Sequence, residues 1–289
     1  MSPRMHSFFE LTKPRITAFI LMSMAIGFAF GSHLNIPWTW WQFIHALVGT
    51  ALIAGGTAAL NQWYEREGDG KMRRTEGRPI PSGRLSATEA LTFGAALASA
   101  GFLELWLGVN RLTALLGVFT LASYLFVYTP LKRVSPVSTT IGAIPGAMPP
   151  LIGYAAASGR LNFEAGILYA ILFLWQFPHF YAIAWMYRED YARAGIRMLP
   201  VVEPNLDSTA RRILWFSLAL VPMSLIPRFY DMAGNVYLFG ASVLGTVVLY
   251  AGYRAQSERT LLHARQVLLA SIVYLPLLYG LMVLDRTRY

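Results

Sequence analysis

Long apolar runs recur along this chain, and their length leaves one solvent in which it can fold. Stretches of about 20 predominantly apolar residues match the hydrocarbon thickness of a bilayer. Nine can be marked, roughly at 16–36, 39–60, 89–109, 112–129, 137–157, 163–185, 213–230, 235–253 and 267–284. Backbone polar groups cannot stay unpaired in hydrocarbon, so each run is expected to be helical. The expected fold is all-α: a polytopic membrane bundle of about nine transmembrane helices, forming a single integral-membrane domain over 1–289. The chain is 55% hydrophobic and only 13% charged, against about 25% charged in a soluble domain. A net charge of +9 would suit nucleic acid on a soluble fold. Here the basic residues lie between apolar runs, so the expected partner is the lipid bilayer and not nucleic acid. The chain has no cysteine, which excludes disulfides, thiolate ligands and a cysteine nucleophile.

Charge sets the expected orientation. Most of the 24 lysines and arginines fall on one side of the nine spans, and only Arg111, Arg160, Arg228, Arg286 and Arg288 fall on the other. The positive-inside rule puts the N-terminus in the cytoplasm and the C-terminus outside, in an inner (plasma) membrane. Connections on the outer side are short, around 34–38, 110–111, 158–162 and 231–234. The two long connections, 61–88 and 186–212, both face the cytoplasm. Long connections tend to carry function, so these are the expected catalytic loops.

The first long connection begins NQWYEREGDGKMRRTEGRPIPSGR, residues 61–84. Asn61, Glu65 and Asp69 recur every four residues and share one face if the preceding helix continues. Glu65 and Asp69 then repel each other at a spacing that costs a few tenths of a kcal/mol, and a cation between them reverses that sign. Lys71, Arg73, Arg74 and Arg78 follow at once. Oxygen ligands beside clustered cations suit Mg²⁺ held with a phosphate or diphosphate. An ordinary solvated loop, rich in arginine only to set topology, accounts for the basic residues but not for the acid spacing.

Two further segments carry polar groups near apolar runs. In LWQFPHFYAIAWMYREDYARAG, residues 174–195, Trp175, Gln176, Pro178 and His179 fall inside an expected span. Polar groups at that depth face the bundle interior, and Pro178 is expected to kink the helix. His179 is either a histidine satisfied by a neighbouring helix or a ligand or proton-handling group. Glu189 and Asp190 can take a second cation, or pair with Arg188 and Arg193 as surface ions. In YTPLKRVSP, residues 128–136, Lys132 lies in a short cytoplasmic turn within reach of a diphosphate, or serves only topology. Gly142, Pro145, Gly146, Pro149 and Pro150 make the fifth span irregular.

Taken together, LTKPRI (11–16), the 61–83 segment, YTPLKR (128–133), IGAIPGAMPPLIGY (141–154), WQFPHFYAIAW (175–185) and DYARAGIRMLPVV (190–202) resemble the UbiA superfamily of intramembrane prenyltransferases. The acidic motif carries the resemblance to the superfamily. WQFPHF and DYARAG carry it to the branch of protoheme IX farnesyltransferases, the heme O synthases. Two departures stand out. The middle acid of the usual NxxxDxxxD is Glu65, and the second acidic motif is reduced to Glu189 and Asp190. The resemblance implies farnesyl diphosphate as donor and protoheme IX as acceptor, with heme a substrate and Mg²⁺ the cofactor. It implies Asn61, Glu65 and Asp69 as metal ligands, with Glu189 and Asp190 as a reduced second site. Lys71, Arg74, Arg78 and Lys132 would neutralise the leaving diphosphate. Arg73, Tyr128, Trp175, Gln176, His179, Asp190 and Arg193 would surround the substrates. A heme A synthase or a terminal oxidase assembly would be a downstream partner. Within the superfamily, a quinone, chlorin or aromatic acceptor is the alternative, and WQFPHF with the thin second motif argues against it. A transporter would explain buried polar residues but not clustered metal-type ligands and cations on one loop.

Overall fold

Local capping chemistry decides where the helices begin in this computed structural model, which describes residues 2–32 and 39–287. Ser2 Oγ accepts the N–H of Met5 ahead of α1 (Pro3–Leu11). After it, Lys13 takes a left-handed conformation (φ +48°) and α2 (Pro14–Gly31) starts on a proline. Reciprocal capping boxes, Thr39 with Gln42 and Ser86 with Glu89, open α3 (Trp40–Asp69) and α4 (Ala87–Gly108). Asn110 caps α5 (Arg111–Ala122), which runs into a π-helical turn (Ser123–Tyr128) and the single turn α6 (Thr129–Leu131). Then come α7 (Ser138–Gly146), α8 (Pro149–Ser158), α9 (Phe163–Met186), α10 (Arg188–Arg193) and α11 (Leu199–Val202). The chain closes with α12 (Asp207–Phe229), α13 (Asn235–Glu258) and α14 (Leu261–Leu284). No strand is present among the described residues.

Eight helical segments among the described residues are long and apolar enough to cross a membrane: α2, α3, α4, α5 with its π turn and α6, α9, α12, α13 and α14. Of the nine expected spans, the irregular fifth is the one that is not a single long helix. No single helix covers 137–157; α7 ends at Gly146 and α8 restarts at Pro149. Pro149 and Pro150 lack the N–H groups that would continue the ladder, and both sit comfortably in a first helical turn. The long connections are also shorter than expected. The helix carrying Asn61 continues to Asp69, and 186–212 contains α10, α11 and the start of α12. The expected turn at 34–38 lies outside the described residues.

Backbone contact fixes the broken pair. A Cβ on Gly27 would sit 1.9 Å from the Pro150 carbonyl oxygen, and one on Gly153 would sit 1.8 Å from that of Met24. α2 and α8 therefore touch main chain to main chain, an approach that only glycine permits. α3 packs along α4, while α9, α12, α13 and α14 form a second group. That group buries Tyr237 and Tyr274, whose hydroxyls donate to the Ser224 carbonyl (2.6 Å) and to Ser224 Oγ (2.7 Å). Large apolar side chains such as Leu107, Phe126, Phe239 and Leu284 point outward, as a lipid-facing surface requires.

The length of α3 positions the site. Thirty residues make a helix of about 45 Å, while the hydrocarbon core is about 30 Å thick. α3 is therefore longer than the hydrocarbon core, and its last turns, where its charged residues cluster, carry Asn61, Glu65 and Asp69.

Candidate active site

Because α3 stays helical to Asp69, residues 61, 65 and 69 stack on one face, and Asn61 Nδ2 donates to Glu65 Oε2 at 2.9 Å. Asn61 and Asp69 are each 1% exposed, so their oxygens need partners. Each of the three residues meets a cation from a different segment. Lys13 Nζ donates to Asn61 Oδ1 at 3.2 Å. Lys132 Nζ donates to Glu65 Oε1 at 2.8 Å. Arg78 Nη1 bridges both oxygens of Asp69 at 2.8 and 2.7 Å. Three cations thus face two carboxylates. Burial first, and the charge of Arg78 next, push the Lys13 ammonium down to about 7.

Local structure aims these groups. The left-handed residue between α1 and α2 turns Lys13 into the site. After Asp69 the chain folds back through tight turns, with Thr75 Oγ1 donating to the Asp69 carbonyl at 2.8 Å, and returns Arg78 to the helix it left. In the π turn the Thr129 N–H reaches back five residues to the Tyr124 carbonyl. This wider turn, of a kind found often at functional sites, presents Tyr124 and Tyr128 together with ring centroids 5.0 Å apart. Lys132 Nζ lies 4.5 Å from the Tyr128 ring centre.

The second segment docks on the first. Asp190 is buried, accepts the Arg74 backbone N–H at 3.3 Å and pairs with Arg193. Arg193 Nε in turn donates to the Lys71 carbonyl at 3.3 Å. The Arg74 guanidinium lies 4.7 Å over the Tyr187 ring and donates to Tyr191 OH at 3.2 Å. Arg197 N–H donates to the Lys132 carbonyl at 2.8 Å, tying the 128–133 turn to the same block.

These elements enclose a cavity of about 310 Å³. Its lining includes the polar residues Asn61, Glu65 and Asp69 and the four cations Lys13, Arg74, Arg78 and Lys132. It also includes apolar and aromatic side chains, among them Ile16, Tyr124, Tyr128, Phe180, Ile183 and Met198. Hard oxygen donors, clustered cations and a greasy wall in one cavity can hold a phosphorylated apolar chain. No group of three or more His, Cys, Asp or Glu side chains that could cage a metal exists among the described residues. The donor set of one amide and two carboxylates instead fits a Mg²⁺ ion that completes its shell with phosphate oxygens and water.

Residues 20–279 match the UbiA prenyltransferase family. The chain belongs to that family. It is 62% identical to a protoheme IX farnesyltransferase of Solibacter usitatus, over 98% of this chain and 99% of the relative. It is 47% identical to another of that description from Koribacter versatilis, over 96% and 92% of the two chains. Solved structures share the fold. A digeranylgeranylglyceryl phosphate synthase structure matches with a TM-score of 0.80 at 17% identity, over 98% of this chain and 99% of the other. A UbiA homolog from Archaeoglobus fulgidus, bound to GPP and Mg²⁺, matches with a TM-score of 0.66 at 16% identity, over 96% and 99%.

In this UbiA prenyltransferase the expected site residues divide. Asn61, Glu65, Asp69, Arg74, Arg78, Tyr128 and Lys132 line the cavity. Asp190 and Arg193 lie behind it, holding the loops together. Lys71, Arg73 and Glu189 are exposed and stay outside the lining, so Glu189 and Asp190 do not form a paired second site at the cavity. Gln176 is buried behind the broken helix, with Nε2 donating to the carbonyls of Ala143 (3.1 Å) and Leu172 (3.2 Å). Trp175 Nε1 donates to the Ser271 carbonyl at 2.7 Å, and His179 Nδ1 lies 2.9 Å from Ser271 Oγ. Their rings stack 4.7 Å apart, facing α14. Lys13, Tyr124, Phe180, Tyr191 and Met198 were not among the sequence-predicted residues yet line the cavity. Only Lys13 carried a signal: it is a charge placed at the start of an apolar run, inside LTKPRI.

Proposed function

We propose that this UbiA prenyltransferase transfers the farnesyl group of farnesyl diphosphate to a vinyl group of protoheme IX, giving heme O. The observation that carries the acceptor is the 62% identity to a protoheme IX farnesyltransferase across essentially both full chains. The mixed lining of the cavity supports the donor. Its cations suit a diphosphate and its apolar side chains suit an isoprenoid chain.

Asn61, Glu65 and Asp69 would hold Mg²⁺ jointly with diphosphate oxygens, and bound there it would draw charge from the departing group. Lys13, Arg74, Arg78 and Lys132 face the negative charge that builds on the diphosphate as the allylic C–O bond breaks. The aromatic rings of Tyr124, Tyr128 and Phe180 in the lining would stabilise the allylic cation, and with Ile183 would keep water away from it. The terminal vinyl carbon bonds to farnesyl C1, and water adds to the neighbouring carbon with loss of a proton, giving the hydroxyethylfarnesyl group.

The whole chain acts as one membrane domain. Its N-terminus lies in the cytoplasm of the inner (plasma) membrane and its C-terminus outside, which puts the cavity on the cytoplasmic side. The 61–88 and 186–212 segments supply the loops that close it. Heme O would pass on to a heme A synthase or a terminal oxidase assembly. Pigment extraction from membranes of cells lacking heme O tests the reading. Heme O should be found on expression of the protein and not on expression of Asp69→Ala at the same level. Its absence from both would overturn the assignment.

A further inference from the structure

The three oxygens best placed for a metal are each held by one of the chain's own cations, at 3.2 Å for Lys13–Asn61, 2.8 Å for Lys132–Glu65 and 2.7 Å for Arg78–Asp69. We propose that Lys13, Lys132 and Arg78 compete with Mg²⁺ for these ligands, so that metal and diphosphate bind cooperatively and neither binds well alone. The proposal rests on the metal–diphosphate reading of the cavity and adds a coupling to it.

Charge carries the argument. Lys132 and Arg78 already balance the two carboxylates, and Lys13 can only add to the positive side, so the cluster has no negative charge left for a metal. A divalent metal arriving alone would add two positive charges to that cluster and would displace the Lys132 ammonium, whose side chain is only 9% exposed, with nothing to receive it. Displaced charges in such a site are costly. A diphosphate changes both conditions. It brings negative charge, and it offers oxygens that ammonium and guanidinium groups bind at least as well as carboxylates. The cations can then move from the ligands to the diphosphate, and the metal takes the oxygens they leave. A diphosphate arriving alone finds the charge of Lys132 and Arg78 already balanced by Glu65 and Asp69, and one donor of each cation held by Asn61, Glu65 or Asp69. Each partner therefore removes the obstacle to the other, which is a favourable (negative) coupling free energy and is reciprocal.

The coupling makes a counter-intuitive demand: deleting a cation should improve binding of metal alone. Lys132 is the best choice, because Nζ makes its hydrogen bond to Glu65 within a pair whose side chains are only 9% and 15% exposed. The metal probe is Mn²⁺ followed by its free EPR signal, with detergent-purified protein. The diphosphate probe is farnesyl thiodiphosphate, whose sulfur bridge resists ionisation. In the unaltered chain the analogue should tighten Mn²⁺ binding about tenfold or more beyond what chelation in solution gives. In Lys132→Met, Mn²⁺ alone should bind about tenfold tighter than to the unaltered chain and should raise the melting temperature. The analogue should then add less. An unchanged or weaker Mn²⁺ affinity in Lys132→Met overturns the competition. If Lys132→Met does not fold, Lys13→Met, which frees the Asn61 oxygen, is held to the same comparison. An unaltered chain that retains no Mn²⁺ even with the analogue would sink the metal–diphosphate reading itself. Retention without the gain in the variants would sink only the coupling.

Discussion

Arg78→Lys separates the two tasks that Arg78 performs. In the structure its Nη1 alone bridges both oxygens of Asp69, at 2.8 and 2.7 Å, and no further hydrogen bond of its guanidinium exists among the described residues. A lysine keeps a charge beside Asp69, which is 1% exposed. The variant therefore avoids the loss of about 3–5 kcal/mol that follows when a buried pair loses one partner, and it should melt close to the unaltered protein. What it loses is the set of guanidinium donors that make no hydrogen bond to protein among the described residues and that the proposed function assigns to the diphosphate. One charged hydrogen bond is worth about 1.5–3 kcal/mol, or about 10- to 150-fold in binding. Initial rates of farnesyl transfer at saturating protoheme should show that loss in kcat/KM for farnesyl diphosphate. Arg78→Met should differ by also lowering the melting temperature, because Asp69 is then left unpaired. Unchanged kinetics in a folded Arg78→Lys would refute the reasoning and reduce Arg78 to a partner of Asp69.

Asp69→Ala should fold, because Arg78 can turn to water, yet lose turnover; near-normal rates at equal expression would contradict its role as a ligand. Glu65→Asp should keep substantial activity, since the carboxylate remains and shortens by only one methylene, and a loss as large as that of Asp69→Ala would contradict this. His179→Ala removes a contact to Ser271 and a ring stacked on Trp175, so it should cost about 1–3 kcal/mol of stability with transfer kinetics retained. A variant with normal melting but no heme product would place His179 in the chemistry after all. Gly153→Ala, whose Cβ would lie 1.8 Å from the Met24 carbonyl oxygen, should lose about 1–3 kcal/mol or more by forcing α2 and α8 apart; an unaltered melting curve would show that the contact can relax.

The helices and their approximate limits were legible because bilayer thickness fixes the length of an apolar run. The break in the fifth span was legible as irregularity, since Pro149 and Pro150 lack the N–H groups that continue a helical ladder. Its consequence, a main-chain contact between α2 and α8, was not, because it depends on which glycines of a distant helix face it. The acidic face of α3 was readable from its four-residue period. The cations that meet it were only half readable. Lys13 and Lys132 come from 48 and 67 residues away, and sequence alone gives a lysine near a span the bland role of setting topology. His179 and Phe180 show the opposite failure. Adjacent helical residues point about 100° apart, and nothing in WQFPHF says that Phe180 faces the cavity while His179 faces α14. The π turn that presents Tyr124 and Tyr128 has no sequence signature in this chain.

Direct turnover tests the central claim most simply. Purified protein in detergent, given radiolabelled farnesyl diphosphate, protoheme IX and Mg²⁺, should yield extractable porphyrin that carries the label and has the mass of protoheme plus a farnesyl group and one hydroxyl. The product should vanish with a chelator and return with added Mg²⁺. Label recovered only as free farnesol, or passed to a quinone or aromatic acceptor while protoheme stays unmodified, would contradict the account.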